Sequence, residues 1–360
     1  MKALILGGTS LYGRRLVEKL LAEGHEITIF TRGNNKPLED EFAAAGVKII
    51  HGDRTKVAEL ATVLAEPVDH YDVVLDNTAM GGEDVSSAVD LFKGKTGHYI
   101  LCSSVAVYPD WNRAAPYRED EADLDLVSTT PDEYTGVKKW IASYANGKRG
   151  AEKALITNAG DDLPYTILRP AVIEGPNDHT ERTWYFAQRL QQGASVILPR
   201  ADKFPLSQHV FVDDVANFAY AVMQAGPNNK AYNIAGDDAV ELSDYLETIH
   251  TLLPTPEGAS KKPVTIIPVE QDFVDARMDS FPPFFDYSLC VDNSAAKADY
   301  GFSPTKMSDW LPATIAWELE HCKIPEDAAA IYDAELSPFL AKKADEDAEV
   351  EAAAASGHDA

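Results

Sequence analysis

The sequence contains few cysteines and no long apolar run. Only three cysteines, Cys102, Cys290 and Cys322, occur among 360 residues, and no two of them have Cys-x-x-Cys spacing. This distribution argues against a disulfide framework and against a zinc site, and it fits a reducing compartment. No apolar stretch approaches the roughly 18 residues of a membrane span, and the apolar N-terminus is too short for a secretory signal. We therefore expect a cytoplasmic protein with no membrane segment and no metal site.

Positive charge is also scarce. The chain has 32 Lys and Arg against 58 Asp and Glu, which gives a formal net charge of -26. A field of this sign repels polyanions, so nucleic acids and anionic membranes are not expected as partners. A local positive pocket for the phosphate of a small molecule is still compatible with this charge. Hydrophobic residues make up 45% of the sequence, enough for a large core.

The first half of the chain alternates between strand and helix patterns. Short apolar strands are predicted at 2–6, 26–30, 47–50, 73–75, 99–102 and 165–168. Helical spacing of apolar residues occurs between them at 15–22, 57–64, 85–92 and 142–155. This alternation predicts an α/β fold with a Rossmann-type, doubly wound parallel sheet and helices on both of its faces.

Beyond Pro170 the alternation fades, and proline, glycine and aromatic residues become frequent, as at 281–285. We expect the Rossmann domain to occupy residues 1–170, with segments near 206–236 returning to it at 209–212 and 231–234. A smaller C-terminal substrate-binding lobe is predicted at 171–205 and 237–325. Residues 326–360 are rich in Ala, Asp and Glu and predict an acidic tail.

A glycine-rich turn joins the first predicted strand to the first predicted helix. Glycine permits a sharp turn and a close approach of the backbone to a pyrophosphate, and the helix N-terminus that follows offers free N–H groups. Ser10 stands where the usual dinucleotide motif often has glycine, so a plain strand-to-helix turn is the alternative. Six residues of this turn are predicted to bind a dinucleotide: Gly7, Thr9, Ser10, Leu11, Tyr12 and Gly13.

The second predicted strand ends at Thr31-Arg32-Gly33, without the carboxylate that NAD sites use to bind the ribose 2′-hydroxyl. Arg32 is predicted to pair with the 2′-phosphate of NADP. The alternative is an ordinary solvated arginine, which is common at protein surfaces. We therefore expect an NAD(P) cofactor and favour NADP.

The ends of the third and fourth predicted strands supply further candidates. Asp53 is placed to accept a hydrogen bond from the adenine amino group, or to stabilise a turn, and both roles are compatible. Thr78 and Ala79 would lie beneath the pyrophosphate and ribose. We include Arg54, Thr78 and Ala79 among the predicted cofactor-binding residues.

Five motifs together resemble the extended short-chain dehydrogenase/reductases, in the NAD(P)-dependent epimerase/dehydratase family. In chain order these motifs are the glycine turn, Leu-Cys-Ser-Ser-Val-Ala-Val-Tyr at 101–108, Tyr144-x-x-x-Lys148 with Glu152, Leu168-Arg169-Pro170, and His-Val-Phe-Val-Asp-Asp-Val-Ala at 209–216. The resemblance covers roughly residues 1–320. The strings Gly-Gly-Thr at 7–9, Phe-Thr-Arg-Gly at 30–33 and Gly-Asp-Arg at 52–54 resemble the branch that contains the chloroplast stem-loop-binding proteins.

The resemblance implies a catalytic set of Ser104, Tyr144 and Lys148. A free tyrosine has a pKa near ~10, so a neighbouring lysine and the nicotinamide ring are needed to stabilise the phenolate of a general acid/base. In the family, Lys148 also holds the nicotinamide ribose, Ser104 orients the reacting oxygen, and Pro170 lines the nicotinamide. The implied activity is hydride transfer on a nucleotide-sugar or similar hydroxy/keto substrate, by epimerisation, dehydration or reduction. The family often forms homodimers through helices of the sheet domain.

Two alternatives remain at this point. A second Tyr-x-x-x-Lys string occurs at Tyr134 and Lys138, but only the string at Tyr144 continues to a glutamate eight residues later. Choosing Tyr144 places it 40 positions after Ser104, which implies an insertion within 109–143. The alternative function is a non-catalytic dinucleotide-binding protein with an RNA-binding or regulatory role, and the negative charge counts against RNA.

Overall fold

The computed structural model describes residues 1–65, 70–108, 116–129, 136–199, 206–255, 260–269, 289–334, 336–338, 341 and 344. Part of the expected insertion, Tyr134 and the aromatic run at 281–285 lie outside these ranges. No helix in the described ranges is long and apolar enough to cross a lipid bilayer.

Twelve strands form within the described ranges, and seven of them make a parallel central sheet. The strands are β1 (Lys2–Leu6), β2 (Glu26–Thr31), β3 (Lys48–His51), β4 (Tyr71–Asp76), β5 (Thr96–Cys102), β6 (Tyr165–Pro170), β7 (Val172–Glu174), β8 (Val196–Pro199), β9 (Leu206–Phe211), β10 (Ala231–Ile234), β11 (Ala239–Glu241) and β12 (Ile266–Val269). The central sheet has the order β10-β6-β5-β4-β1-β2-β3. The strand order reverses between β1 and β4, and such a reversal opens a crevice at the carboxyl ends of the strands. The predicted Rossmann-type fold is confirmed.

Ten α-helices occur in the same ranges. They are α1 (Leu11–Ala22), α2 (Lys36–Ala44), α3 (Val57–Leu60), α4 (Gly82–Phe92), α5 (Gly136–Asn158), α6 (Arg182–Gln191), α7 (Val212–Ala225), α8 (Leu242–Leu252), α9 (Ser294–Tyr300) and α10 (Met307–His321). Helices α1 and α5 begin earlier than their apolar spacing predicts. Helix α2 was not predicted; Pro37 lies in its first turn, where a missing N–H costs no hydrogen bond.

The alternating side chains of β1 explain why helices cover both faces of the sheet. Ala3 and Ile5 enter one apolar core with the inner faces of α1 and α7, whereas Leu4 and Leu6 enter a second core with α4 and α5. All four side chains are fully buried. A strand that is buried on both faces is apolar at every position, so β1 appears in the sequence as a continuous apolar run.

The smaller lobe contains two short sheets and a third apolar core. Strands β7, β9 and β11 form one sheet, and β8 pairs with β12 in the other. Trp184, Leu246 and Trp310 from α6, α8 and α10 are buried together in the third core. The segment 209–212 was predicted to return to the central sheet. Most of it lies in β9, which belongs to the three-stranded sheet and does not join the central sheet. The physical reason is that β10 already occupies the edge beside β6.

The first part of the predicted acidic tail packs against the body of the protein. Tyr332 is buried, and its hydroxyl donates a hydrogen bond to Oε1 of Gln188 on α6 at 3.0 Å. The guanidinium of Arg189 lies over the Tyr332 ring, 4.6 Å from its centroid. Ala328 and Leu336 are also buried. Three residues of the predicted tail, Ala328, Tyr332 and Leu336, are thus buried in the folded protein.

Candidate active site

The glycine turn is tightly packed against the carboxyl end of β4. Gly7 and Gly8 have φ angles of 101° and 98°, in the region that other residues avoid. A Cβ atom on Gly7 would lie 3.0 Å from Cγ2 of Thr78. One on Gly13 would lie 3.0 Å both from Nδ2 of Asn77 and from the Cα of Gly8. Glycine at these positions therefore lets β1, α1 and β4 converge at the crevice.

The N-terminus of α1 fits the pyrophosphate of a dinucleotide. Ser10 is the N-cap residue, but its side chain makes no capping hydrogen bond, so the first N–H groups of the helix lack a side-chain acceptor there. Leu11 has a left-handed φ of 47°, which contributes to the sharp turn. The side-chain amide of Asn35 fixes the turn by donating to the carbonyl of Thr9 at 2.9 Å. Free N–H groups and the helix dipole together favour an anion at this position.

Arg32 and Asp53 lie near each other at the ends of β2 and β3. Arg32 is exposed. Oδ1 of Asp53 accepts hydrogen bonds from the backbone N–H and the hydroxyl of Thr55 at 3.0 and 2.8 Å. These hydrogen bonds, and to a smaller extent the charges of Lys56 and Arg32, lower the pKa of Asp53. The predicted turn role of Asp53 agrees with these contacts, and the adenine contact stays a prediction.

The side chain of Arg54 is directed into the protein. Its Nη1 donates to Oδ1 of Asp76 at 2.5 Å, and its Nη2 donates to the carbonyl of Asp84 at 2.8 Å. Oδ1 of Asp76 also accepts the backbone N–H groups of Thr78 and Ala79, at 3.1 and 3.0 Å. Arg54 therefore holds the turn after β4 rather than presenting a free guanidinium to a ligand. Direct cofactor contacts by Thr78 and Ala79 stay predictions.

Lys148 ties the middle of α5 to the ends of two central strands. It is buried, and its Nζ donates to the carbonyl of Ala79 at 2.9 Å and to the carbonyl of Cys102 at 3.0 Å. The same Nζ lies 5.6 Å from the centroid of the Tyr144 ring. The ammonium thus has a fixed position at the crevice, next to the phenol one helical turn away.

The ring of Tyr144 is half-buried between Trp140 and Lys148. The Trp140 and Tyr144 rings are stacked, with centroids 5.2 Å apart and planes 12° apart. Tyr144 also contributes to the raised pKa of Tyr12 on α1, for which burial is the largest cause and the Cys102 thiol the next. Tyr144 therefore lies near Tyr12. The buried hydroxyl of Tyr12 lies beside the Cys102 thiol.

The two serines after β5 have different surroundings. Ser104 begins a short 3₁₀ turn, Val105–Val107, and its Oγ accepts the backbone N–H of Ala106 at 3.2 Å. Ser103 is buried, and its Oγ has no hydrogen-bond partner in the part of the chain that the structure describes. Both hydroxyls lie at the carboxyl end of β5, beside the Cys102 carbonyl that binds Lys148.

Pro170 and its neighbour Arg169 end β6 at the same edge of the sheet. Arg169 forms a buried bidentate ion pair with Glu152 of α5, through Nε to Oε1 at 2.9 Å and Nη2 to Oε2 at 2.6 Å. Pro170 is buried and lies opposite Ile234 of β10. The ion pair gives the glutamate after Tyr-x-x-x-Lys a physical role, because it fixes α5 relative to β6.

Arg149 is a residue of this region that sequence analysis missed. It is fully buried, and its guanidinium donates to the carbonyls of Val107 and Tyr108 at 2.8 and 3.1 Å and to the hydroxyl of Ser128 at 2.8 Å. Burial lowers its pKa. The side chain joins α5 to the segment after β5 and to part of the expected insertion. The sequence indicates only that Arg149 is adjacent to Lys148. This adjacency does not reveal its hydrogen-bond partners after β5 and in the insertion.

A comparison with known protein families shows to which family this chain belongs. The profile of the family described as "NAD dependent epimerase/dehydratase family" matches residues 3–235. The chain belongs to this family. The match confirms the predicted resemblance and the prediction of an NAD(P)-dependent enzyme of the extended short-chain dehydrogenase type.

Individual members of the epimerase/dehydratase family resemble the chain over different lengths. The chloroplast stem-loop binding protein of 41 kDa b from Arabidopsis thaliana is 29% identical over 249 residues, which cover 66% of this chain and 60% of that protein. A 2-alkyl-3-oxoalkanoate reductase from Shewanella oneidensis is 26% identical over 338 residues, 84% of this chain and 82% of the reductase. The first similarity agrees with the predicted branch of the family.

Solved structures show the same fold at lower sequence identity. The dTDP-glucose 4,6-dehydratase of Bacillus anthracis, in complex with NAD, superimposes with a TM-score of 0.69 at 18% identity. The match covers 89% of this chain and 97% of the dehydratase. The epimerase/dehydratase family thus accounts for the sheet order and for the position of the crevice.

Proposed function

We propose that this chain transfers hydride between NAD(P) and a nucleotide-sugar or similar hydroxy/keto substrate, with Tyr144 as the general acid/base. The observation that carries the proposal is the position of Lys148, whose ammonium is fixed by two backbone carbonyls and lies 5.6 Å from the Tyr144 ring. The pair adjoins a glycine turn whose free N–H groups fit a pyrophosphate. The dTDP-glucose dehydratase and the oxoalkanoate reductase support the two substrate types.

Each residue of the proposed active site has a separate role in the reaction. Nicotinamide, when bound, supplies or accepts the hydride. The phenol of Tyr144 takes a proton from a substrate hydroxyl or returns one to a carbonyl oxygen, and the ammonium of Lys148 lies beside its ring. Ser104 orients that oxygen through its hydroxyl. The indole of Trp140 stacks on the Tyr144 ring and supports it from one side.

NADP is the proposed form of the cofactor. The dehydratase structure contains NAD, and the end of β2 in this chain carries exposed Arg32 where NAD sites use a carboxylate. A cytoplasmic location is proposed with it, since all three cysteines are free thiols.

A homodimer is also proposed, through the α4 and α5 side of the sheet. Met80, Val127, Trp140 and Ile156 lie on or beside these helices, and each is a large apolar side chain with high exposure. Exposed large apolar side chains are enriched at protein interfaces. Light scattering that finds a monomer at micromolar concentration would overturn this proposal.

Replacing Tyr144 by phenylalanine tests the acid/base role. NADPH binding, measured by fluorescence, is expected to stay within about threefold of wild type, because the ring and Lys148 remain. Turnover of dTDP-glucose or of a 3-oxoalkanoate is expected to fall by about 10²- to 10⁴-fold, the usual contribution of a general acid/base. Tyr220→Phe on α7 is the matched control, and its turnover should equal that of wild type.

The same variant separates the enzyme from the non-catalytic alternative. If Tyr144→Phe turns over substrate at the wild-type rate, the acid/base assignment is wrong. If the wild-type chain binds NADPH but turns over neither substrate type, and binds a stem-loop RNA equally well with and without the phenol, the RNA-binding alternative is favoured. The net charge of -26 argues against that second outcome.

A further inference from the structure

A buried turn at residues 76–80 connects the end of β4 to the start of α4. The carboxylate of Asp76 lies at its centre and is fully buried. One oxygen accepts Nη1 of Arg54 and the two backbone N–H groups described above, and the other accepts the hydroxyl of Tyr99 at 2.6 Å. Four donors on one carboxylate make this turn a rigid element of the site.

A second contact of Arg54 extends the network to α4. Its Nη2 binds the carbonyl of Asp84, and the side chain of Asp84 in turn accepts the backbone N–H of Met80 at 2.8 Å. Arg54 therefore bridges the two ends of the turn, Asp76 at one end and the first residues of α4 at the other. The planar guanidinium satisfies the two acceptors through two different nitrogens in a fixed geometry.

Helix α5 closes the other side of the turn. The carbonyl of Ala79 accepts the ammonium of Lys148 at 2.9 Å. At the neighbouring residue, a Cβ on Gly147 would lie only 2.1 Å from the carbonyl oxygen of Met80, so the helix and the turn are in direct backbone contact. The position of the Ala79 carbonyl thus depends on Arg54 and Asp76 from one side and on α5 from the other.

We propose that Arg54 is a positioning residue that, through Asp76, fixes the Ala79 carbonyl and so holds the ammonium of Lys148 beside Tyr144. The inference rests on the proposed function for the meaning of that position, but the network itself is a property of the fold. Lysine has a flexible four-carbon chain, and an ammonium without fixed acceptors occupies many positions. Arg54 and Tyr99 restrict it through their hydrogen bonds to Asp76.

Chemical labelling of Lys148 measures this positioning without any turnover. Acetic anhydride acylates free lysine amines, and peptide mass spectrometry reads the labelling rate of each lysine. Lys153, exposed on the same helix and paired with Asp125, is the internal control. The variants are Arg54→Met, Arg54→Lys and Tyr99→Phe, of which the last removes one donor to Asp76 and changes no charge. The affinity for NADPH and the melting temperature are measured on the same proteins.

We expect Lys148 of Arg54→Met to be labelled about 3- to 10-fold faster than in wild type, with Lys153 unchanged, because the loss of the hydrogen bonds to Asp76 and to the Asp84 carbonyl loosens its acceptor. Tyr99→Phe should give a smaller increase, and Arg54→Lys should lie between Arg54→Met and wild type. NADPH affinity should fall in the same order. Because Lys153 is already exposed in the folded protein, general destabilisation is read from the melting temperature. Faster labelling of Lys148 that appears only in proportion to a fall in melting temperature would overturn the inference.

Two further outcomes separate this inference from the proposed function. If wild type binds NADPH and turns over substrate while the Arg54 and Tyr99 variants label Lys148 at the wild-type rate, the positioning role is wrong and the proposed function stands. If the wild-type chain does not bind NADPH, the proposed function fails, while the labelling of Lys148 in the Arg54 and Tyr99 variants still decides whether Arg54 positions the ammonium.

Discussion

Arg32 is the residue at which this chain departs from an NAD-selective site. Its exposed guanidinium stands at the end of β2, near the carboxylate of Asp53. Replacing it by alanine is expected to weaken NADP binding roughly tenfold, which corresponds to one charge-assisted hydrogen bond. Binding of NAD, which lacks the 2′-phosphate, should change little. Fluorescence or calorimetric titration of both nucleotides measures the ratio.

The matched control for Arg32 is Lys36→Ala. Lys36 is also exposed, lies in the same region at the start of α2, and pairs with Asp40 instead of facing the crevice. Its loss should leave both affinities unchanged. An equal loss of NAD and NADP affinity in Arg32→Ala, or no loss of either, would contradict a role in recognition of the 2′-phosphate.

At the scale of single residues, the sequence predicted several site residues but not the contacts that hold them in place. The glycine turn, Tyr144 and Lys148 occur in local motifs, so their positions in chain order were predictable. The partners of Arg54 and Arg149 were not, because those contacts join residues at least 20 positions apart: Arg54 binds Asp76, and Arg149 binds Val107 and Ser128. Only the packed fold brings such residues together.

At the level of whole elements, the central strands were predictable and the helix ends were not. Strands β1 and β4 are buried on both faces and therefore appear as apolar runs. Helix α5 begins six residues before its predicted start, since glycine and polar side chains hide its apolar spacing there. The three-stranded sheet of β7, β9 and β11 depends on edge pairing between short strands that are distant in sequence, which no local pattern reveals.

The contact between α5 and the turn after β4 gives a prediction about packing. Gly147→Ala would place a Cβ 2.1 Å from the Met80 carbonyl, so the helix must move outward. We expect a loss of about 1–3 kcal/mol in the free energy of unfolding, the usual cost of overpacking, and weaker NADPH binding because Lys148 moves with the helix. Urea denaturation and nucleotide titration measure the two effects.

Gly81→Ser is the control for this packing prediction. Gly81 lies in the same turn, has an extended backbone conformation, and would have no atom within 4 Å of an added Cβ. Serine is also a favourable N-cap for α4. Its stability should equal or slightly exceed that of wild type. If Gly147→Ala is as stable as Gly81→Ser, the close approach of α5 to the turn is wrong.

At the scale of the whole molecule, the smaller lobe contains a buried acidic cluster that links its stability to pH. Glu174 of β7 accepts hydrogen bonds from the hydroxyls of Thr183 and Tyr245, at 3.0 and 2.5 Å. His209 of β9 lies 3.2 Å from the other Glu174 oxygen. Glu318 of α10 is buried near the cluster, and one of its carboxylate oxygens has no hydrogen-bond partner among the described residues.

Glu318 therefore determines how this lobe responds to pH. Burial, and then the negative charges of Glu174 and Asp178, raise its pKa from 4.5 to about 9. A carboxyl group whose pKa is raised by folding binds its proton more tightly in the folded state, so it destabilises the protein progressively as the pH rises from about 4.5 to about 9.

Glu318→Gln replaces the carboxyl group with a neutral group of similar size, and this change should remove the pH-dependent cost. At neutral pH the variant is expected to be more stable than wild type by about 1–3 kcal/mol. The difference should disappear below pH 4.5, where wild-type Glu318 is protonated in both states, and should stop growing above about pH 9. Thermal denaturation of both proteins across this range measures it, with Glu320→Gln, an exposed site on the same helix, as control. An advantage of Glu318→Gln that is equal at every pH would contradict the charge argument, because a packing effect does not titrate.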